Sequence, residues 1–323
     1  MASPNAAFVE AAVMTLGASS PDIADNVSRT NAIIDAMAKA GNVKKNGFGP
    51  YLAADIEFAE NSTIGSYQGY EVLDISPSEV FTKATFPWKQ ASVAVTYSGA
   101  EEAINSGPEA VHNLITSRTN NAKRTAANYM GRVAYGNGTA NNGKDLGGLG
   151  LLVADIPTNT VGGISGSAYP FWQNKVYSFS GQTTPITTVT GPALLHAMNV
   201  LYRTLTRGKD HPDIITTDGT YYDTYLESLQ PNQRFTQDNP DKAGYGFNNV
   251  LYKMTPVVYD DVAPAAHMYM LNTDYLGLTT MKNRDWLPLG DRAAVNQDAT
   301  VLPMVWMGAM WCSNRALQGV IIA

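Results

Sequence analysis

The 323-residue chain has a formal net charge of −6 and only 15% charged residues, against the roughly 25% usual for soluble proteins. That balance excludes tight nucleic-acid binding through a broadly basic surface. One cysteine, Cys312, excludes an intrachain disulfide, and no run reaches the roughly 18 apolar residues that a membrane helix needs. The 17 Tyr, 12 Met, 9 Phe and 5 Trp are residue types that protein–protein interfaces favour while they shed charge, so much of the surface is expected to be covered.

In chain order, two short helices are expected first, Ser3-Pro4 to Gly17 and Ser20-Pro21 to Gly41. Each is opened by Ser-Pro and stopped by Gly. Ile23, Val27, Ile34 and Met37 mark an apolar face on the second. Neither can fold alone, so the region reads as an arm lying on something else. The apolar start lacks a basic n-region and carries Glu10, so no signal peptide is expected.

Residues 48–88 read as a long β excursion. Leu52, Ala54, Ile56 and Phe58 alternate with Ala53, Asp55, Glu57 and Ala59, which fits a strand with unlike faces. Asn61 to Gly65 supplies a turn, and Tyr70, Val72, Leu73 and Ile75 are expected to begin the return strand. Such a hairpin needs a sheet or a neighbour to lie on. Ala91–Tyr97 is a further strand candidate.

A long helix follows over residues 109–134, with Val111, Leu114, Ile115, Ala122, Ala126, Tyr129, Met130 and Val133 at helical spacing. Arg118, Lys123, Arg124 and Arg132 form its polar face, read as solvated or inter-subunit. A Gly/Asn-rich break at Gly136–Gly150, a short apolar segment at Leu151–Ala154 and loops to Thr190 come next.

Helix Gly191–Gly208, strand Pro212–Thr217, helix Tyr221–Leu229 and strands Val250–Tyr259 and His267–Leu271 make a compact α/β unit. The last 25 residues are almost uninterruptedly apolar. From Val301 to Cys312 both alternate sets are apolar, which suits a strand buried on two faces. The end of the chain is therefore expected to return to a central platform.

No catalytic or metal constellation emerges. Gly138 to Lys144 has phosphate-loop spacing, but Asp145 stands where a hydroxyl is needed and the segment follows a helix. His112, His196, His211 and His267 lack paired spacing, Asp260-Asp261 lacks the spaced oxygens of a calcium loop, and Ser165 sits in a failed Gly-x-Ser-x-Gly elbow. Cys312 reads as a packed thiol. Catalytic, cofactor and metal residues are thus expected to be none.

The order of these elements resembles the major capsid proteins of tailed bacteriophages, the HK97-like α+β fold. The wording is similar at Phe86–Gln90, Val93–Glu102, Asn105–Gly107, Leu146–Leu151, Gly162–Ile164 with Phe171-Trp172, Leu271–Tyr275, and most of all Trp306–Arg315 through Gly319. The resemblance implies an N-arm over 1–47, an extended E-loop over 48–88, a peripheral domain over 89–189 and 290–323 with a spine helix at 109–134, and an axial domain over 190–289. It further implies homo-hexamers and homo-pentamers in an icosahedral phage head, a virion protein assembled in the bacterial cytoplasm, around non-specifically contacted double-stranded DNA. A portal, a separate scaffolding protein and a decoration protein are implied partners, with no membrane. Scaffolding is expected to be separate because the chain, starting at Met1, has only a short arm. The alternatives are an encapsulin-like compartment shell, or an enzyme or carbohydrate-binding module using Tyr221, Tyr222 and Tyr225.

Overall fold

The computed structural model describes residues 31–104, 114–182, 184–229, 250–293 and 297–323. The first expected helix and most of the second lie outside these residues. The described part, helix α1 (Ala32–Lys39), begins afresh at Asn31, an extended residue whose side chain accepts from Ile34 N at 2.9 Å, as an N-cap does. Ile33 and Met37, one turn apart, are its buried residues. Ile34 is only partly covered, so the apolar face is shifted from the expected one.

Among the described residues, two six-stranded sheets organise the fold. The first is built around β15 (Ala299–Cys312), a 14-residue strand. One of its edges pairs with β4 (Lys89–Ser98) from Ala299 to Gly308. The other is covered in turn by β14 (Arg292–Ala293), β13 (Leu287–Pro288) and β12 (Leu276–Met281), and β12 also pairs with β1 (Val43–Gly47) in parallel. Met304, Trp306, Met310 and Cys312 are buried, while Val301, Val305, Met307 and Trp311 on the alternate face are half-covered. The expected two-sided burial is thus graded: from Met304 to Cys312 one face is covered throughout, while Leu302 on that face and most of the other face, Ala309 excepted, are half-covered. Gly308 is required by Trp306, because a Cβ there would meet the indole at 2.5 Å.

The second sheet has the order β7 (Lys175–Ser178), β16 (Gly319–Ile322), β11 (His267–Leu271), β8 (Ile214–Thr217), β10 (Thr255–Tyr259), β9 (Val250–Tyr252). Alternation explains its composition. Ile215, Val257, Met268, Met270 and Ile321 pack with Leu194, Met198, Leu201 and Tyr225 of the covering helices, which span Gly191–Leu205 and Gly219–Leu229. Ile214, Tyr269, Leu271 and Val320 face the other way, into the core of the first sheet. A sheet covered on both faces needs apolar residues at both parities.

The closing run thus serves two sheets. Gly319–Ile322 does not finish the platform with β15 but inserts between β7 and β11. Conversely Leu276–Met281, within the expected axial span, belongs to the platform, and Lys175–Ser178, expected as loop, is a strand. The single strand expected at Val250–Tyr259 is a hairpin, reversing at Lys253 and Met254 with φ of 47° and 71°.

Candidate functional site

Residues 48–88 form an arm with two unlike halves. At its base β2 (Tyr51–Glu57) and β3 (Phe81–Pro87) pair over seven positions, with Ala54, Ile56, Ala84 and Phe86 buried in the main core. Trp88 Nε1 donates to Gly49 O at 2.9 Å, Thr85 N donates to Gly162 O at 2.9 Å, and Phe58 stacks on Phe171 at 5.5 Å. The hairpin of β5 (Thr160–Val161) and β6 (Ile164–Ser165) fits against this base closely enough that a Cβ on Gly162 would meet Ala84 at 2.7 Å.

Beyond Phe58, whose N still donates to Val80 O at 2.9 Å, residues 59–79 have no strand pairing among the described residues. The return strand expected at Tyr70–Ile75 does not form. Asp74 instead accepts from Ser76 N and Asn61 from Thr63 N, local turns that satisfy backbone without a partner strand. Ile64 (86% exposed), Tyr67, Tyr70, Val72 (97%), Leu73, Ile75 (91%) and Phe81 all face solvent. So many large apolar side chains exposed within one segment are a feature that interaction sites share. Sequence reasoning gave these residues a return strand because period and propensity cannot register a missing partner.

Where the arm leaves its apolar groups open, the region around Arg315 closes its polar ones. Arg315 is fully buried. Its guanidinium donates to Leu152 O, Trp172 O, Asn159 Oδ1 and Asn174 Oδ1 at 2.8–3.0 Å, and lies over the Trp172 ring. All of these acceptors are neutral. Burial lowers its pKa to about 10, which still leaves it charged at neutral pH. Next along the chain, Gln318 imitates a strand residue, accepting from Asn272 N at 3.0 Å and donating to Asn272 O at 2.9 Å. These two side chains hold the crossing from β15 to β16 between the sheets. Sequence reasoning missed both.

Helix α2 (Gly99–Ile104) precedes α3 (Leu114–Ala134), the described part of the expected long helix; residues 105–113 lie outside the described residues. Ala122, Ala126, Met130 and Val133 of α3 are buried. Arg118 is not on a free polar face, since it pairs with both carboxylate oxygens of Glu101 and with Thr96 O. A groove of about 560 Å³ runs between α3 and β4.

The residues weighed for chemistry stay apart. His196 is an exposed helix residue and His211 precedes β8. His267 pairs with Asp155 at 3.1 Å, and His112 lies outside the described residues. Ser165 Oγ is engaged by Ser167 Oγ. Asp260 is buried and accepts from Tyr135 Oη at 3.0 Å, so Asp260-Asp261 is not an open pair. Among the described residues no group of three or more His, Cys, Asp or Glu could hold a metal. Burial pushes the Cys312 thiol up to about 12. Tyr221 and Tyr225, expected under the sugar-binding alternative to offer stacking faces, are buried under the second sheet, and Tyr225 Oη donates to Leu251 O at 3.2 Å. Their rings are core, and Tyr222, the third, is half-buried and tilted against Tyr259 at 6.1 Å, so the three do not present one stacking face.

No protein-family model matches the chain, and no curated protein does. Solved structures do. The capsid asymmetric unit of cyanophage A-1(L) is 18% identical with a TM-score of 0.65, covering 99% of this chain and 98% of the other. The capsid of cyanophage P-SCSP1u is 11% identical with a TM-score of 0.60, covering 97% and 94%. The capsid of an empty GTA particle is 12% identical with a TM-score of 0.60, covering 99% of each chain. The described architecture is thus the HK97-like fold of phage capsid proteins, matched from end to end.

Proposed function

We propose that the protein is the major capsid protein of a tailed bacteriophage, assembling as hexamers and pentamers into an icosahedral head around double-stranded DNA. The observation that carries this reading is the arm: an apolar segment packed at its base and open to solvent along its outer half. Burying each of its Ile, Val, Leu and Phe side chains against a neighbour contributes roughly 1.5–3 kcal/mol. Among the described residues no surface of the chain takes them up, and in this reading a second copy is the partner. In this reading the sheet around β15 with α3 is the peripheral platform and the sheet from β7 to β9 is the axial domain. A portal, a scaffold and a decoration protein are partners of the assembled head, which places the protein in the virion.

Size-exclusion chromatography with light scattering, followed by electron microscopy, tests the reading. Closed particles or capsomers are expected. A stable monomer across salt and concentration would overturn it. The tip of the arm has no lysine between Lys45 and Lys83, so cohesion is expected to be non-covalent, with a band near 34.7 kDa when particles are boiled in SDS.

A further inference from the structure

The second sheet is joined to the platform differently at its two ends. At one end the chain itself crosses: Arg315 and Gln318 hold the passage from β15 to β16, and β11 runs on through Asn272 into β12. At the other end of β11, four positions and about 13 Å away at roughly 3.3 Å per residue, His267 meets Asp155. Asp155 belongs to the platform side, because Leu149, Leu152 and Val153 before it lie in the first core and Asn174 Nδ2 donates to Ala154 O at 2.8 Å. His267 belongs to the second sheet, where it pairs with Ile322. Their contact is a link between the sheets that the backbone does not supply.

The His267 ring sits between acceptors. Nδ1 lies 2.7 Å from Ala265 O, and Nε2 lies 3.1 and 3.2 Å from Asp155 Oδ1 and Oδ2. A carbonyl and a carboxylate have no proton to give, and a neutral imidazole carries one N–H only. A neutral ring therefore turns a lone pair on one of its two partners, whereas an imidazolium donates to both. The turn that brings Ala265 O to the ring is itself held. Ala266 has a φ of 56°, and its N donates to Asp218 Oδ2 at 2.9 Å.

The neighbouring elements add carboxylates. Asp218 follows β8, Asp260 and Asp261 follow β10, and among the described residues no Lys or Arg pairs with Asp155. On β11 the Tyr269 ring stacks on His267 at 5.9 Å and packs on Tyr135 at 5.9 Å, and Tyr135 Oη donates to Asp260. Burial first, and then the charge of Asp155 on Tyr269 and of Asp260 on Tyr135, push both phenols up. Neither changes charge near neutral pH.

We propose that His267 is a proton-gated clasp: as an imidazolium it ties the Asp155 segment of the platform to the entry of β11, and loss of the proton loosens that end of the second sheet while the crossings hold the other. The Asp155 side chain is 51% exposed and that of His267 19%, so solvent reaches the pair and the contribution stays modest. The joint lies within one subunit and does not depend on the shell reading.

The test follows the unfolding midpoint of wild type, His267→Gln, His267→Lys and Asp155→Asn from pH 6 to pH 9, with all four in the same assembly state. Stability held by an imidazolium is complete below the ordinary histidine value of about 6.5 and is lost as the pH rises. Wild type is expected to exceed His267→Gln by about 1–2 °C at pH 6 and to match it at pH 9. His267→Lys keeps its charge over this range and should lie above wild type at pH 9. With Asp155→Asn in place, His267→Gln should have no pH-dependent effect. An advantage of equal size at both pH values would overturn the proposal, since a neutral ring that only packs gives that result. So would a pH-dependent advantage that survives Asp155→Asn, which would put the partner of the proton elsewhere. Should His267→Gln not fold, the loss in Asp155→Asn decides alone: it should shrink from pH 6 to pH 9, and a constant loss would refute the clasp.

Discussion

The arm at residues 48–88 and the closing segment at residues 299–323 are both rich in apolar residues, yet they sit in opposite environments. In the closing segment, β15 has β4 on one edge and β12, β13 and β14 on the other, and β16 lies between β7 and β11. In the arm, among the described residues, β2 and β3 pair only with each other and the outer half has no partner strand. An apolar run states that burial is needed, and it does not state whose surface provides it. The closing segment finds its cover inside the chain; in the proposed function the arm finds it in another copy.

The largest expected effect breaks the comparison at the arm. Deleting Asn61–Tyr70 is expected to abolish particle formation while leaving the unfolding midpoint of the monomer within a degree or two of wild type, because those residues make no core contacts. Light scattering and thermal unfolding read the two quantities separately. A large drop in the midpoint would show that the outer arm rests on its own subunit.

The closing segment should fail in the reverse manner. Trp306→Ala is expected to cost about 3–5 kcal/mol, as truncation of a buried aromatic does, and Arg315→Met at least as much. The methionine fills much of the same volume but leaves Leu152 O, Trp172 O, Asn159 Oδ1 and Asn174 Oδ1 without their donor, at about 1–3 kcal/mol for each buried group stranded. Urea unfolding of the soluble protein is the measurement. Near-neutral stability for Arg315→Met would mean that water or rearranged amides can replace the guanidinium.

These two residues also show where the sequence stopped being legible. Trp306 announced itself, because an aromatic in an apolar alternation is core under almost any fold. Arg315 did not, since a lone arginine after a strand reads as surface; only the meeting of the 152, 159 and 172–174 segments turns it into a hub. The base of the arm, with Leu52, Ala54 and Ile56 in strict alternation, was readable from period alone, whereas its outer half was overread as strand. The partition of the sheets was misread at Gly319–Ile322 for the same reason: β7, its parallel partner, lies in a stretch whose Gly and Ser hide a four-residue strand. Long-range pairing leaves no local trace when both partners are short.

An exposed apolar residue outside the arm sharpens the contrast further. Met254, 86% exposed, tips the β9–β10 hairpin at a φ of 71°, a conformation that costs a non-glycine residue about 1–2 kcal/mol. Lys253 beside it is held over the Tyr202 ring at 4.7 Å. Met254→Gly relieves the backbone and keeps that contact. A stabilisation of about 1 kcal/mol is expected, with particle formation unchanged; loss of particles would place this tip in the assembly interface alongside the arm.

The smallest expected effect concerns acid. Glu101 is held down to about 2, first by its hydrogen bonds from Arg118 and then by that from Ser98 N, so its carboxylate ties the start of α2 to β4 and α3. A carboxyl whose folded pKa lies below its ordinary 4.5 contributes stability that is complete above that value and is lost as the pH falls towards 2. Both side chains are partly open to solvent, which keeps the contribution modest. The arm has a counterpart in Asp74, also lowered, by Ser76, but that bond stays within one turn and links nothing to the platform. Acidification from pH 6 to pH 3 should therefore lower the midpoint of wild-type protein slightly more than that of Glu101→Gln, while Asp74→Asn should follow the wild-type curve. If Asp74→Asn instead diverges and Glu101→Gln runs parallel to wild type, the acid-sensitive contact lies in the arm, and the arm is tied to the platform more tightly than its exposed side chains indicate.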